Sequence, residues 1–226
     1  MGRARPGVMG SRARDPFAVA AALAVLVASS CATAAGVLSE RELAAARAWK
    51  PTRWADGKGT ALVVMDMQRA NMPVFSQSEV VGNILKLVSA ADAAGSPVVW
   101  VYSEDEDARP GEEGFELAPE FEPGPGHFRV VKTGTSAFTG TGLGELLEEK
   151  GVGRIVFCGV SSNECVKATV AASYYDGWLT VVAKDAHSVP VRSGTDEGAR
   201  SMNARWSADR RVELRPSAAI RFGSSR

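Results

Sequence analysis

The chain has 226 residues, 45% hydrophobic and 23% charged, with 26 Lys+Arg balancing 26 Asp+Glu. This composition excludes a collagen, a disordered tail and a disulfide-stapled miniprotein, and zero net charge without a basic patch excludes an ordinary nucleic-acid binder. Three cysteines, Cys31, Cys158 and Cys165, are too few and odd in number for a disulfide framework, so at least one thiol is free.

Residues 1–34 read as a signal peptide. Arg3, Arg5, Arg12 and Arg14 precede an apolar run over 17–27, and Ala32 and Ala34 supply the small residues of a cleavage site. The expected location is therefore outside the cytoplasm, periplasmic or secreted. The alternative is a membrane anchor, with Cys31 lipidated as in a lipoprotein or the run 17–38 left uncleaved, since ~20 apolar residues span a bilayer. A membrane is expected as a partner only in those forms. Residues 35–59 form an N-terminal arm. Ser39 with Glu42 predicts a capping box that opens a short helix running to Trp49, and Pro51, Asp56, Gly57 and Gly59 then break the chain.

Residues 60–226 form one α/β domain. The continuous apolar run 61–65 predicts a buried parallel strand ending at Asp66. Val80, Ile84, Leu85, Val88 and Ala91 fall at helical spacing within 79–94. A second buried strand follows over 97–102. Residues 103–126, rich in Pro and Gly and opening on the acidic stretch Glu104 to Asp107, form a loop long enough to be functional or mobile. A short strand 128–131 ends in Lys132, a helix covers 142–150, and a further buried strand covers 154–158. A helix over 164–175, a strand over 178–183, a helix over 195–206 and an edge strand over 211–214 complete the chain. Strands alternating with helices predict a three-layer, doubly wound, mostly parallel sheet of Rossmann-like type.

In such sheets ligands bind beyond the carboxyl ends of the strands. Asp66, Lys132 and the turn from Gly159 to Cys165 all belong there, so three chemically useful groups from three strands are expected to converge. Cys165 falls in the first turn of a helix, where unpaired N–H groups and the helix dipole favour a thiolate. A carboxylate beside it takes the thiol proton, and an ammonium holds both anions. Taken singly, each has a plainer reading: a buried small hydrophobe for Cys165, a turn cap for Asp66, a solvated surface charge for Lys132.

Four segments together resemble the isochorismatase-like cysteine hydrolases. Residues 61–68, an apolar strand ending in Asp66-Met67-Gln68, look like the family's first motif. Lys132 followed by Ser136-Ala137-Phe138 looks like its lysine motif. Gly159-Val160-Ser161-Ser162-Asn163-Glu164-Cys165 looks like its glycine-to-cysteine motif, and Asp185-Ala186 matches the pair after the next strand. The resemblance implies Asp66 as base, Lys132 as cation and Cys165 as nucleophile. It also implies a cis peptide between Val160 and Ser161 that aims the N–H groups of Ser161 and Cys165 at an oxyanion, and it suggests a homo-oligomer. Family members that are nicotinamidases carry an Asp-x-His metal pair; here the second strand runs into Ser103-Glu104-Asp105 with no His, so no metal and no cofactor are expected. His127 and His187 are expected to be structural or solvated. Gln68, Phe75, Tyr102, Phe138 and Asn163 are candidates for the wall of a substrate pocket.

The expected activity is metal-independent hydrolysis of the C–N bond of a small amide or ureido substrate through a thioester. Two alternatives stay open: an isochorismatase-type vinyl-ether hydrolase that relies on the Asp without the Cys, and a catalytically silent exported binding protein of the same fold.

Overall fold

A computed structural model describes residues 38–53, 59–106 and 108–223. The expected signal peptide, Cys31 and the chain break at Asp56-Gly57 lie outside the described residues.

Six strands form one sheet: β1 (Gly59–Met65), β2 (Val98–Ser103), β3 (Phe128–Lys132), β4 (Val152–Gly159), β5 (Leu179–His187) and β6 (Val212–Arg215). Their order is β3-β2-β1-β4-β5-β6 and every pairing is parallel. The chain runs outward from β1 to one edge, then returns to the other side of β1 as β4. The crevice above β1 and β4 is therefore the switch point where open α/β sheets bind ligands.

Alternation along the strands builds the two faces. Leu62 and Val64 of β1, Trp100 of β2 and Val156 of β4 point to one side, where Val80, Val81, Ile84, Leu87 and Ala91 of α2 (Gln77–Ala93) cover them. Ala61, Val63 and Met65, with Ile155 and Phe157, point to the other. There Leu143 and Leu147 of α3 (Leu143–Glu149), Val170 and Tyr174 of α4 (Lys167–Tyr175), and Met202 and Trp206 of α5 (Glu197–Ala208) meet them. A strand buried on both faces has no polar side to alternate, which is why β1 reads as an unbroken apolar run.

The arm helix α1 (Glu40–Ala48) carries the expected capping box, with the Ser39 side chain on the Glu42 N–H and the Glu42 carboxylate on the Ser39 N–H. Beyond it the Trp49 indole N–H donates to the Tyr174 carbonyl at 2.7 Å, tying the arm to the end of α4.

Two departures from the expected elements bear on function. β5 continues past Lys184-Asp185 to His187, because an irregularity in the β4–β5 pairing lets His187 sit beside Gly159. The segment 103–126 is also no free loop. It holds a 3-10 turn at Glu113–Phe115, buries Phe115, Leu117, Ala118 and Phe121, and bonds back to the exit of β1 through Arg69 N–H to Glu116 O and Ala118 N–H to Met67 O. Its apolar residues anchor it across the sheet's carboxyl edge.

Gly159 ends β4 at φ +104°, and a Cβ there would lie 2.1 Å from the Met65 carbonyl oxygen. Both the left-handed backbone and the contact demand glycine. Gly159→Ala is expected to destabilise the fold by about 3 kcal/mol or more, lowering Tm by roughly 10 °C in a thermal melt. An unchanged Tm would contradict the close approach of β4 to β1.

Candidate active site

Asp66 leaves β1 in the left-handed region, with φ 49°. Its N–H donates to Val101 O at 3.0 Å and its carbonyl accepts the Asn71 side-chain amide at 2.8 Å, so the turn is braced on both sides. The side chain is buried beneath the carboxyl edge of the sheet. Lys132 is the last residue of β3, two strands away, and its side chain crosses β2 fully enclosed. Its Nζ lies 3.0 Å from Asp66 Oδ2, 3.1 Å from Ser103 Oγ and 3.3 Å from Cys165 Sγ. Side chains from β1, β3 and the turn after β4 thus meet around one ammonium.

Cys165 sits in a single π-helical turn, Ser162–Val166, that precedes α4. The Val160–Ser161 peptide is cis. Neighbouring bonds hold the turn: Val160 N–H to Met65 O at 3.0 Å, Ser162 N–H to Ser188 O at 2.8 Å and Val166 N–H to Ser161 O at 3.1 Å. The continuation of β5 is what brings Ser188 and His187 here. Ser162 Oγ lies 2.7 Å from His187 Nδ1, and His187 Nε2 lies 3.0 Å from Asn203 Oδ1. The Asn203 amide nitrogen donates to Lys184 O, so Oδ1 is the atom left to accept from His187. His187 is buried, and burial lowers its pKa, which keeps the ring neutral. The other histidine, His127, accepts the Trp100 indole N–H and the Gly124 N–H on Nδ1, each at 3.0 Å. Both histidines are structural ties.

Burial is the first cause acting on each member of the cluster. It raises the Asp66 pKa above the ordinary carboxylate value, although Lys132 opposes it. It pulls Lys132 down, but the Asp66 and Cys165 charges outweigh it and the ammonium is held more firmly. For Cys165, burial and the Asp66 charge push the thiol up to about 11 against the pull of Lys132. The expectation that a helix start would favour a standing thiolate is therefore corrected. Loss of water, and then the adjacent carboxylate, both favour the protonated thiol. Asp66 Oδ1 is buried without a partner at hydrogen-bond geometry, and the Cys165 thiol is the donor near enough to share its proton with that carboxylate. Moving this proton from sulfur to carboxylate leaves the net charge of the cluster unchanged. An anion remains beside Lys132 before and after, so the transfer carries little desolvation cost.

Cys158 lies wholly inside β4, where burial pushes its thiol far up. It and Cys165 are both free thiols. Among the described residues, no three His, Cys, Asp or Glu side chains converge to hold a metal ion, and no helix is long and apolar enough to cross a membrane.

The pocket-wall candidates divide. Gln68 is fully buried, and its amide is used on the main chain of Ser103, so it is a brace and not a wall. Tyr102 is also corrected. It packs in the core 5.4 Å from Phe115 and beneath the Arg129 guanidinium, because alternation along β2 turns it to the α2 face. Phe75 and Phe138 are half-buried, and Phe138 packs against the second core cluster. Asn163 is exposed, with its amide against Gly198 of α5. Beside the Asp66 turn, a surface hollow of about 430 Å³ is lined by Arg69, Ala70, Glu113, Gly114 and Arg192. Ser103, Asn71 and Arg192 were not singled out from sequence. Ser103 had a visible signal, since it closes an apolar strand just as Asp66 does.

Residues 60–208 match the family model for the Isochorismatase domain. The chain is 33% identical over 183 residues to a streptothricin hydrolase of Streptomyces noursei, covering 75% of this chain and 73% of that protein. It is 30% identical over 180 residues to the ureidoacrylate amidohydrolase RutB of Pseudomonas syringae pv. syringae, covering 61% of this chain and 73% of that one. In fold it is similar to the crystal structure of N-carbamoylsarcosine amidase from Thermoplasma acidophilum, with a TM-score of 0.62, 23% identity and coverage of 72% of this chain and 98% of that one. A doubly wound parallel sheet that gathers these motifs at its switch point, matched over most of its length by the family model, belongs to the isochorismatase family of hydrolases.

Proposed function

We propose that this protein is a metal-independent cysteine hydrolase that cleaves the C–N bond of a small amide or ureido substrate through a thioester on Cys165. The observation that carries the reading is the single buried ammonium of Lys132 within 3.3 Å of the sulfur and 3.0 Å of the carboxylate. A relative that bears the name of an amidohydrolase supports the amide class.

In the proposed cycle a substrate carbonyl settles against the turn at Ser161 to Cys165. Asp66 takes the Sγ proton and sulfur attacks the carbonyl carbon. The backbone N–H groups of Ser161 and Cys165 receive the oxyanion. The C–N bond breaks as Asp66 returns the proton to the leaving nitrogen, giving ammonia or an amine and an acyl thioester. Asp66 then takes a proton from water, hydroxide adds to the thioester, and the acid departs as sulfur recovers its proton. Lys132 keeps its charge throughout and neutralises whichever partner is anionic.

The reading predicts a broad pH profile. The active cluster holds one proton between Asp66 and Cys165. On the acid side the cluster gains a second proton, on Asp66 while the first stays on sulfur, and because burial raises the Asp66 pKa, kcat/KM falls with a midpoint above the usual carboxylate value of about 4. On the alkaline side the shared proton is lost near pH 11. A kcat/KM profile with its acid midpoint below about 4 would count against Asp66 as the buried base. The direct test is ammonia release across a panel of small amides and ureido acids, with Cys165→Ala as control. Turnover by the wild type alone supports the proposal, and a folded wild type inert on the whole panel overturns it.

A further inference from the structure

We infer that Ser103 is a positioning residue of this site, whose hydroxyl holds the Lys132 ammonium at the one point from which a single cation reaches both Asp66 and Cys165. The inference rests on the cysteine-hydrolase reading for its catalytic meaning, but its geometry stands apart from any substrate.

The strand register pairs Ser103 directly with Lys132 across β2 and β3. Paired residues on neighbouring strands carry their side chains to the same face, so the Ser103 hydroxyl lies beside the lysine chain as it crosses β2. Asp66 belongs to β1, one strand further on. Lysine must therefore bridge two strand spacings, ~4.8 Å each, and Ser103 stands between its ends. An ammonium has three N–H donors. Here the acceptors are Asp66 Oδ2 at 3.0 Å, Ser103 Oγ at 3.1 Å and Cys165 Sγ at 3.3 Å. The lysine side chain is fully enclosed, so no bulk water replaces an acceptor that is removed.

The nature of the third partner matters as well. A hydroxyl accepts the N–H without bringing a charge of its own. The full positive charge stays available to the carboxylate and the sulfur, which exchange one proton between them. A carboxylate at 103 would draw the ammonium away from both.

Ser103 is itself fixed by an unusual brace. Gln68 Oε1 accepts the Ser103 N–H at 2.7 Å and Gln68 Nε2 donates to the Ser103 carbonyl at 2.9 Å. Gln68 is fully buried and stands two residues after Asp66. The segment that leaves β1 therefore carries both the proposed base and the amide that sets the anchor of its cation. Any movement of Ser103 relative to Asp66 must break one of these two bonds.

The test is the pH dependence of Cys165 alkylation by iodoacetamide on the folded full chain, with Cys165→Ala as blank, alongside kcat and KM on any amide turned over. Ser103→Ala is expected to shift the rising limb of the alkylation profile up by about one pH unit, read as about tenfold slower alkylation at any fixed pH on that limb, and to lower kcat more than it alters KM. Ser103→Thr keeps the hydroxyl and is expected to restore the rate to within about threefold of wild type. A profile for Ser103→Ala that superimposes on wild type, or a Thr variant shifted as far as Ala, overturns the inference, because a merely structural serine would not move the titration of sulfur. A chain that shifts as expected yet hydrolyses nothing would retain Ser103 as the anchor of Lys132 and defeat the amidase reading alone.

Discussion

Cys165→Ala is expected to abolish amide turnover, lowering kcat by roughly 10⁴-fold or more, while leaving the fold intact. The reason lies in how the site divides its work. In the proposed cycle Asp66 and Lys132 handle charge and the backbone of the turn receives the oxyanion, but only sulfur forms the bond that turns one difficult displacement into two easier ones. The substitution removes one soft acceptor from Lys132, which keeps Asp66 Oδ2 at 3.0 Å and Ser103 Oγ at 3.1 Å. Thermal stability is therefore expected to change by less than about 1 kcal/mol. The measurement pairs a turnover assay with a thermal melt. Retained hydrolysis at a tenth of the wild-type rate would remove sulfur from the mechanism and favour chemistry run by Asp66 alone.

Lys132→Met has a different signature, because it costs stability as well as activity. Methionine matches much of the volume but leaves the Asp66 carboxylate buried without its counter-charge. Breaking a buried ion pair from one side costs about 3–5 kcal/mol, far more than losing the net contribution of the pair. The deficit is expected to depend on pH in a definite direction. In the variant the folded pKa of Asp66 rises further above its unfolded value, so between those two values the folded state binds more protons than the unfolded one. Stability then falls as pH rises through that window, and the deficit is smallest in acid. Activity is expected to fall at least 10³-fold, since Asp66 holds a proton when it should accept one. The double variant Asp66→Asn, Lys132→Met should regain much of the stability and none of the activity. A double variant no more stable than Lys132→Met would assign the cost to packing and not to a stranded charge.

Much of this was legible in the residues because burial writes itself plainly into sequence. The runs at β1 and β4 lack any polar alternation, and that pattern belongs to strands covered on both faces. Asp66 and Lys132 could be placed at strand ends for the same reason: a charge that abruptly closes an apolar run marks the edge of the sheet. What sequence did not disclose were the consequences of register. Nothing in the chain places Ser103 opposite Lys132; that follows from the β2–β3 pairing. Nor could composition tell that β5 runs on through a charged pair to His187, since an irregularity in pairing is a tertiary event. Tyr102 lies in the core and not at the site for a related reason. It precedes Ser103 by one residue, and one residue along a strand is the difference between the site and the core. The Cys165 thiol is pushed up, against the helix-end expectation, chiefly by burial and then by the Asp66 charge, and neither is visible in the residues around it in sequence.

The Cys165 sulfur is half-buried beside a buried carboxylate, and both features hold its proton in place. Burial and the Asp66 charge favour the protonated sulfur until a bound molecule draws the proton across. Stray electrophiles and peroxides would find the resting protein almost inert, and so would warhead compounds that depend on collision alone. A covalent inhibitor for this site must first be recognised reversibly, well enough to coax the proton across, before its reactive group has anything to meet.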